Sequence, residues 1–424
     1  MEARTIAAIV LWSVNEVRDA VARVVNPAGR PAALTFNAHI TGLAVARSLG
    51  ARGIPVIALD RDQGGVGLYS RHAVVSGICP NPITDEEGFV AYLESVGEVL
   101  DQPSVLFPTN DEWVVAISRH RERLERYYNF PFSGPEIVEP VLNKTSLYQA
   151  AERLGIPIPR TWYLAERHPE EVLPELAWPC VVKPAQQRLY YDAFGEKLRI
   201  AHDAGEFLRI VADAPGHELL AQEMIPTGPD TFYSLCSYVG RDGAAAGLFV
   251  GRKQAQYPPF SGTACLVDAR WAPSVAERGA RILAEFGYQG ISETEFLFDP
   301  RDGEYKLLDL NTRVWKWIGL PIRCGVDLPW LAYADAVGEP VPQSGPHTDG
   351  LQWVHVRDYV NLLRQDPTAA HGHTLSEDAL LSLVDGSFEN GGPVTDAVLS
   401  PSDPLPFVRL LQSELSRSRY YCAC

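Results

Sequence analysis

Short apolar runs alternate with amphipathic stretches along the first third of the chain. AALTF, PVIALD, HAVVSGI and SVLFPTND read as strands, and residues 40–49 and EWVVAISRHRERL read as helices. Short buried strands interleaved with helices predict a parallel α/β layer. Neither GxGxxG nor GxxxxGK[ST] occurs, so this layer is Rossmann-like in shape without a dinucleotide or P-loop fingerprint. From Val138 the texture changes. VLNKTSLYQAAERLG predicts a helix ended by Gly155, followed by the Pro-punctuated extended segment IPIPRT. The strand CVVKP, a polar stretch, the helix AGEFLRIVADA and the strand ELLAQEMI come next. TFYSLCSYV, GAAAGLFVGRK and TACLVDARW predict successive antiparallel strands ahead of the helix VAERGARILAEFG. Beyond about Gly338 the chain turns Pro-, Asp- and Ser-rich between short helices, as a C-terminal appendage would.

The segment from Glu293 to Arg313 predicts a hairpin with chemistry on one face. Strand residues two apart share a face. Glu293 and Glu295 therefore point one way, and Asp309 and Asn311 share a face on the second strand. A turn centred on Asp302 sets Glu295 opposite Asp309, Glu293 opposite Asn311 and Phe296 opposite Leu308. Opposed like charges destabilise a sheet, so this acid face calls for a cation. Magnesium suits it, because that hard ion takes one or two carboxylates and fills its shell with phosphate oxygens and water.

Composition narrows the class. The apolar content of 46% and charged content of 21% are those of a globular protein, and 424 residues suggest several domains or subdomains. No apolar run reaches the roughly 18 residues of a membrane span, and the first residues lack the basic leader of a signal peptide. A net charge of −16 argues against a general nucleic-acid binder. The seven cysteines show no zinc or redox spacing, Cys422 and Cys424 included, which fits a reducing cytoplasm. His371 and His373 read as a solvated loop rather than a metal site.

Lys144 at a helix start, Lys183 at the end of VVKP, and Arg252 and Lys253 after an apolar strand complete an ordered set with the acidic hairpin. In LNKTSLYQAAERLGIPIPRT, VVKP, QEMIPTGPD and SETEFLFDPRDGEYKLLDLNTR, this chain resembles the ATP-grasp superfamily, over roughly residues 32–340. Within it the resemblance is to carboxylate–amine ligases related to D-aspartate ligase and other amino-acid ligases. It implies an α/β and α+β architecture: a Rossmann-like pre-ATP-grasp domain (1–137), a lid subdomain (138–217), a metal-bearing subdomain (218–340) and an appendage (341–424). It also implies that ATP and Mg2+, with Mn2+ as an alternative, serve amide formation through an acyl phosphate. Lys144 and Lys183 would contact nucleotide phosphates, Glu223, Met224 and Ile225 would form the adenine hinge, and Asp230 would hold the ribose. Glu295, Asp309 and Asn311 would bind the metal; Arg313 and Lys253, with Arg252, would meet the transferring phosphoryl group.

Two departures stand out. PAQQRLYYDAFGEKLRI lacks the Gly/Ser-rich loop common in the superfamily, leaving Arg188 and Lys197 as substitutes. Where D-alanine–D-alanine ligases carry a basic residue two positions before the first metal acid, this chain has Glu293, a candidate base for the amine. Substrate contacts are expected from Arg71, Thr109, Asn110, Asp111, Lys316 and Arg323, with Trp315 and Trp317 as an aromatic wall. The partners so implied are a small carboxylate and a small amine, with no nucleic acid or membrane and with a homodimer as an option. A biotin-carboxylase-like enzyme forming carboxyphosphate and a catalytically silent nucleotide-binding protein are the competing readings.

Overall fold

The computed structural model describes residues 10–228, 230–259, 262–342, 347, 349–366, 368 and 374–415. Among them the strands form three sheets. The first is six-stranded and wholly parallel, in the order Val10–Leu11, Ala73–Ile78, Val56–Asp60, Ala33–Thr35, Ser104–Phe107, Tyr128–Asn129. From Ala33–Thr35 the chain first builds outward on one side and then, with Ser104–Phe107, on the other. The loops leaving these two strands therefore flank a topological switch point, where open parallel sheets receive ligands.

The second sheet is antiparallel and runs Thr161–Tyr163, Leu219–Glu223, Cys180–Pro184, Arg199–Ala201. The third has seven strands: Glu304–Asn311, Gly290–Asp299, Phe232–Val239, Ala245–Tyr257, Thr263–Ala269, Gln352–Val354 and Val394–Asp396. Its last two strands come from the C-terminal stretch, so that stretch extends the sheet rather than only resting on it. One core joins the parallel layer (Ala33, Val56, Val105) to the large sheet (Tyr238, Phe249) and to Trp315 and Trp317. No helix among the described residues is long and apolar enough to cross a membrane.

Two local differences from the sequence expectation bear on the site. The helix expected over residues 141–155 is two helices, Pro135–Leu142 and Lys144–Arg153, broken at Asn143. Asn143 is extended, and its side chain accepts from the Ser146 amide, a capping bond that competes with helix continuation. The Lys144 amide then donates to Ala185 O (2.9 Å), which pins this helix start to the strand that carries Lys183. The polar stretch after Lys183 is likewise built, as the helix Gln187–Phe194 closed by Gly195 at φ +70°.

Candidate active site

The hairpin holds its expected register at the acidic end and changes it toward the turn. Glu293 pairs with Asn311 and Glu295 with Asp309, but Phe296 pairs with Leu307, not Leu308. A β-bulge inserts one extra residue between these pairs. Leu308 is that residue, and Leu307 takes the fully buried place beside Phe296 and Leu310 on the helix-covered face. On the opposite face Asn311 Nδ2 donates to Glu293 Oε2 and to Glu295 Oε1, each at 3.1 Å. Burial, and then the neighbouring Glu295 carboxylate, push Glu293 up to about 8.

The lysines approach from the other side. Lys144 Nζ lies 2.6 Å from Asp309 Oδ2 and holds that carboxyl below its usual range, against a burial effect that alone would raise it. Lys183 Nζ donates to Tyr148 Oη (2.5 Å), and Tyr148 in turn donates to Leu308 O (2.7 Å), the carbonyl of the bulge residue. Burial and the charge of Lys144 draw Lys183 down to about 7. Tyr148 was not among the expected site residues. Its signal is spacing, since it stands four residues after Lys144 on the same helix face.

Arg313 closes the acidic face. Its Nε donates to Asp111 Oδ1 (2.9 Å), Nη2 to Asn311 Oδ1 (3.3 Å) and Nη1 to Val314 O (3.2 Å). Lys253 packs its ammonium over the Phe232 ring at 4.5 Å, and its charge, like that of Arg313, acts on Glu293. Lys197, on the turn after the Gln187–Phe194 helix, feels Glu295, Asp309, Arg313 and Lys253 and is lowered chiefly by burial. Arg188 of that helix pairs with Asp192 (2.5 Å) and lies 3.8 Å from Glu112.

Other expected residues are engaged elsewhere. Arg252 follows the alternation of its strand away from Lys253 and forms a fork on Asp268 (3.0 and 2.6 Å) and a pair with Asp230 (2.5 Å). Two carboxylates thus already neutralise the Arg252 guanidinium expected to reach a phosphate, and Asp230 is its partner. The Glu223 carboxylate, expected at an adenine hinge, accepts from Arg160 N (2.9 Å), Arg301 (2.7 Å) and Lys306 (3.3 Å). Burial would raise Glu223, but those donors outweigh it and hold the carboxyl low. Of the two residues that follow it, Met224 is exposed and Ile225 is buried.

Among the substrate candidates, Asn110 and Asp111 lie at the switch point, where Asn37 Nδ2 donates to Asn110 Oδ1 (3.1 Å) and Thr109 Oγ1 bonds to Phe36 O (2.7 Å). The aromatic wall is not one: Trp315 and Trp317 are core residues, T-stacked at 5.4 Å. Gly251 makes room for Trp317, because a Cβ there would stand 2.6 Å from the indole. Lys316 is buried on Thr263 Oγ1 (2.9 Å) and Asp358 (2.7 Å). Arg71 donates to Ser402 O (2.9 Å) and Arg323 to Phe388 O (3.1 Å), so both guanidinium groups tie down the C-terminal stretch instead of facing the hairpin. His371, His373, Cys422 and Cys424 lie outside the described residues.

Among the described residues no group of three or more His, Cys, Asp or Glu forms a ready metal cage. Magnesium does not need one. The oxygen-only set of Glu295, Asp309 and Asn311, and the pair of buried Glu293 and half-buried Glu295 bridged by a single amide, fit a hard dication that brings its own phosphate oxygens.

No family model matches the chain. It is 27% identical over 223 residues to a D-aspartate ligase of Enterococcus faecium (strain Aus0004), a stretch that is 49% of this chain and 53% of that relative. The match thus spans about half the length of this curated relative. Among solved structures, N5-carboxyaminoimidazole synthetase from Staphylococcus aureus, complexed with ADP, superposes with a TM-score of 0.60 at 15% identity, covering 85% of this chain and 96% of the other. The biotin carboxylase of Campylobacter jejuni, in a β,γ-ATP complex, also gives 0.60 at 15% identity, covering 77% and 75%.

Proposed function

From the ATP-grasp fold of this chain, we propose an ATP- and magnesium-dependent carboxylate–amine ligase that forms an amide and releases ADP and phosphate, with an amino acid as one substrate. The observation that carries the reading is the convergence on one hairpin end of three carboxylates, an amide and an arginine, with Lys144 on Asp309 and Lys183 linked through Tyr148 to the neighbouring bulge. The printed activity of the D-aspartate ligase relative supports the amino-acid substrate.

The chemistry follows from the charges. A carboxylate resists attack by an amine because oxide is a poor leaving group. Transfer of the γ-phosphoryl to one carboxylate oxygen, with ADP leaving, turns that oxygen into phosphate, which the amine then displaces. Such transfers are governed by positioning and by cations aimed at developing charge. Lys144 and Lys183 are the phosphate cations, and Arg313 faces the transferring group from the Asn311 side. Glu295, Asp309 and Asn311 would hold Mg2+, which supplies charge neutralisation on the phosphates. Glu293, on the same face as Glu295 and held by Asn311 Nδ2, is the candidate base for the proton that the amine must lose.

The test is an ATP-dependent screen of candidate acids with hydroxylamine present. A hydroxamate formed together with ADP reveals the activated acid and supports the ligase. ADP release that depends on bicarbonate alone favours carboxyphosphate formation, the reading suggested by the biotin carboxylase neighbour. Tight ATP binding with no ADP release across the screen favours a silent nucleotide-binding protein.

A further inference from the structure

The start of the helix Asp111–Arg119 breaks a local rule. Asn110 occupies the N-cap position, where an asparagine side chain ordinarily accepts from the first turn. It makes no such capping bond and joins Asn37 (3.1 Å) across the switch point and Glu112 (3.4 Å) instead. Asp111 comes next, and a first-turn acid is usually explained by the helix dipole. The dipole does not account for its partner: Asp111 Oδ1 accepts from Nε of Arg313, 202 residues later in the chain. Local rules broken without local gain mark functional places.

The arginine needs this contact. Two of its three bonds, to Asn311 Oδ1 and Val314 O, come from its own strand end and fix only the Nη tips. The Nε bond is the one that comes from the parallel layer, and Nε sets the plane of the fork. Burial would lower Arg313, but Asp111 and then Glu293 outweigh it and keep the guanidinium firmly charged.

We propose that Asp111 is a positioning residue for Arg313 rather than a substrate contact: it holds the fork in the plane that meets the γ-phosphoryl group. The proposal rests on the ATP-ligase reading. It assigns the switch-point loop of the parallel layer a part in phosphoryl transfer, acting through a residue of the antiparallel sheet.

The test compares MgAMPPNP with MgADP binding by calorimetry in the full chain, for wild type, Asp111→Ala, Asp111→Glu, Arg313→Lys and the Asp111→Ala/Arg313→Lys double variant. Asp111→Asn, which keeps the shape and an acceptor, serves if the alanine variant fails to fold. Asp111→Ala is expected to cut the preference for the triphosphate analogue about tenfold, the scale of one charge-assisted contact. Its MgADP affinity stays within about twofold, and Asp111→Glu recovers part of the loss. The double variant loses no more than Arg313→Lys alone, because coupled residues are non-additive. In turnover, KM for ATP rises with the lost triphosphate affinity, and kcat falls as well. A lowered melting temperature with an unchanged preference, or losses that multiply in the double variant, overturns the positioning role and leaves the ligase reading intact. A wild type that binds neither nucleotide overturns both. A wild type that binds the two equally removes Arg313 from the γ-phosphate, and this proposal with it.

Discussion

The two ends of the Gly290–Asn311 hairpin are built from the same kinds of residue and behave in opposite ways. At the turn, every carboxylate meets a cation. Asp299 lies 2.6 Å from both Lys306 and Arg301, Lys306 also reaches Asp302 (3.0 Å) and Glu223 (3.3 Å), and Arg301 reaches Glu223 (2.7 Å). Asp299, fully buried, is held far below the usual carboxylate range, first by Arg301. At the other end Glu293 is buried beside Glu295 with an amide between them, and it is pushed up to about 8. Charge balanced within the chain builds architecture. Charge left unbalanced in a buried place is a site waiting for charge from outside.

That contrast can be broken experimentally. The largest effect belongs to the unbalanced end: Asp309→Ala or Asn311→Ala abolishes turnover, a loss of about 10³-fold or more, while circular dichroism reports an intact fold. Hydroxamate formation retained in both variants removes the metal assignment. At the balanced end Lys306→Ala strips the buried Asp299 of its main ammonium partner. It is expected to cost about 1.5–3 kcal/mol in denaturant unfolding, the scale of a hydrogen bond to a charged group, because Arg301 still pairs with Asp299. A loss under about 1 kcal/mol erases the distinction between the ends.

A smaller effect appears in the pH dependence of the magnesium-free protein. With Glu293 raised from 4.5 to about 8, the folded chain keeps a proton that the unfolded chain has released across this window. Stability therefore declines as pH rises from 4.5 through 8. Glu293→Gln flattens the decline, and excess magnesium shrinks it in the wild type. A wild-type profile already flat between these limits contradicts the unbalanced pair. The smallest effect is Arg301→Ala, whose exposed guanidinium makes pairs worth about 1 kcal/mol or less. A larger loss on thermal melting gives the turn network more cooperativity than its geometry implies.

The acidic face was legible because strand alternation has a period of two, and that period alone places Glu293, Glu295, Asp309 and Asn311 together. The bulge was not legible, since either Leu307 or Leu308 could have paired with Phe296 and only packing chooses between them. Lys183 stood out as a charge ending an apolar run and Lys144 as one at a helix start, whereas nothing singled out Tyr148, a buried aromatic. Arg71 and Arg323 misled for a different reason. Their acceptors, the carbonyls of Ser402 and Phe388, lie 331 and 65 residues away, and no local pattern announces such partners. Asp111 was expected as a substrate contact; its partner Arg313 stands 202 residues away, so the positioning role proposed for it was not legible either.

Lys183 carries one more consequence. Burial and the charge of Lys144 draw it down to about 7 while it leans on Tyr148 Oη, so its ammonium is held far less firmly than that of an exposed lysine. On the ligase reading a triphosphate favours the ammonium, so nucleotide capture would take up a proton and the heat of binding would change with the ionisation enthalpy of the buffer. Hydrogen ion would then be, in effect, a third ligand of the proposed nucleotide site.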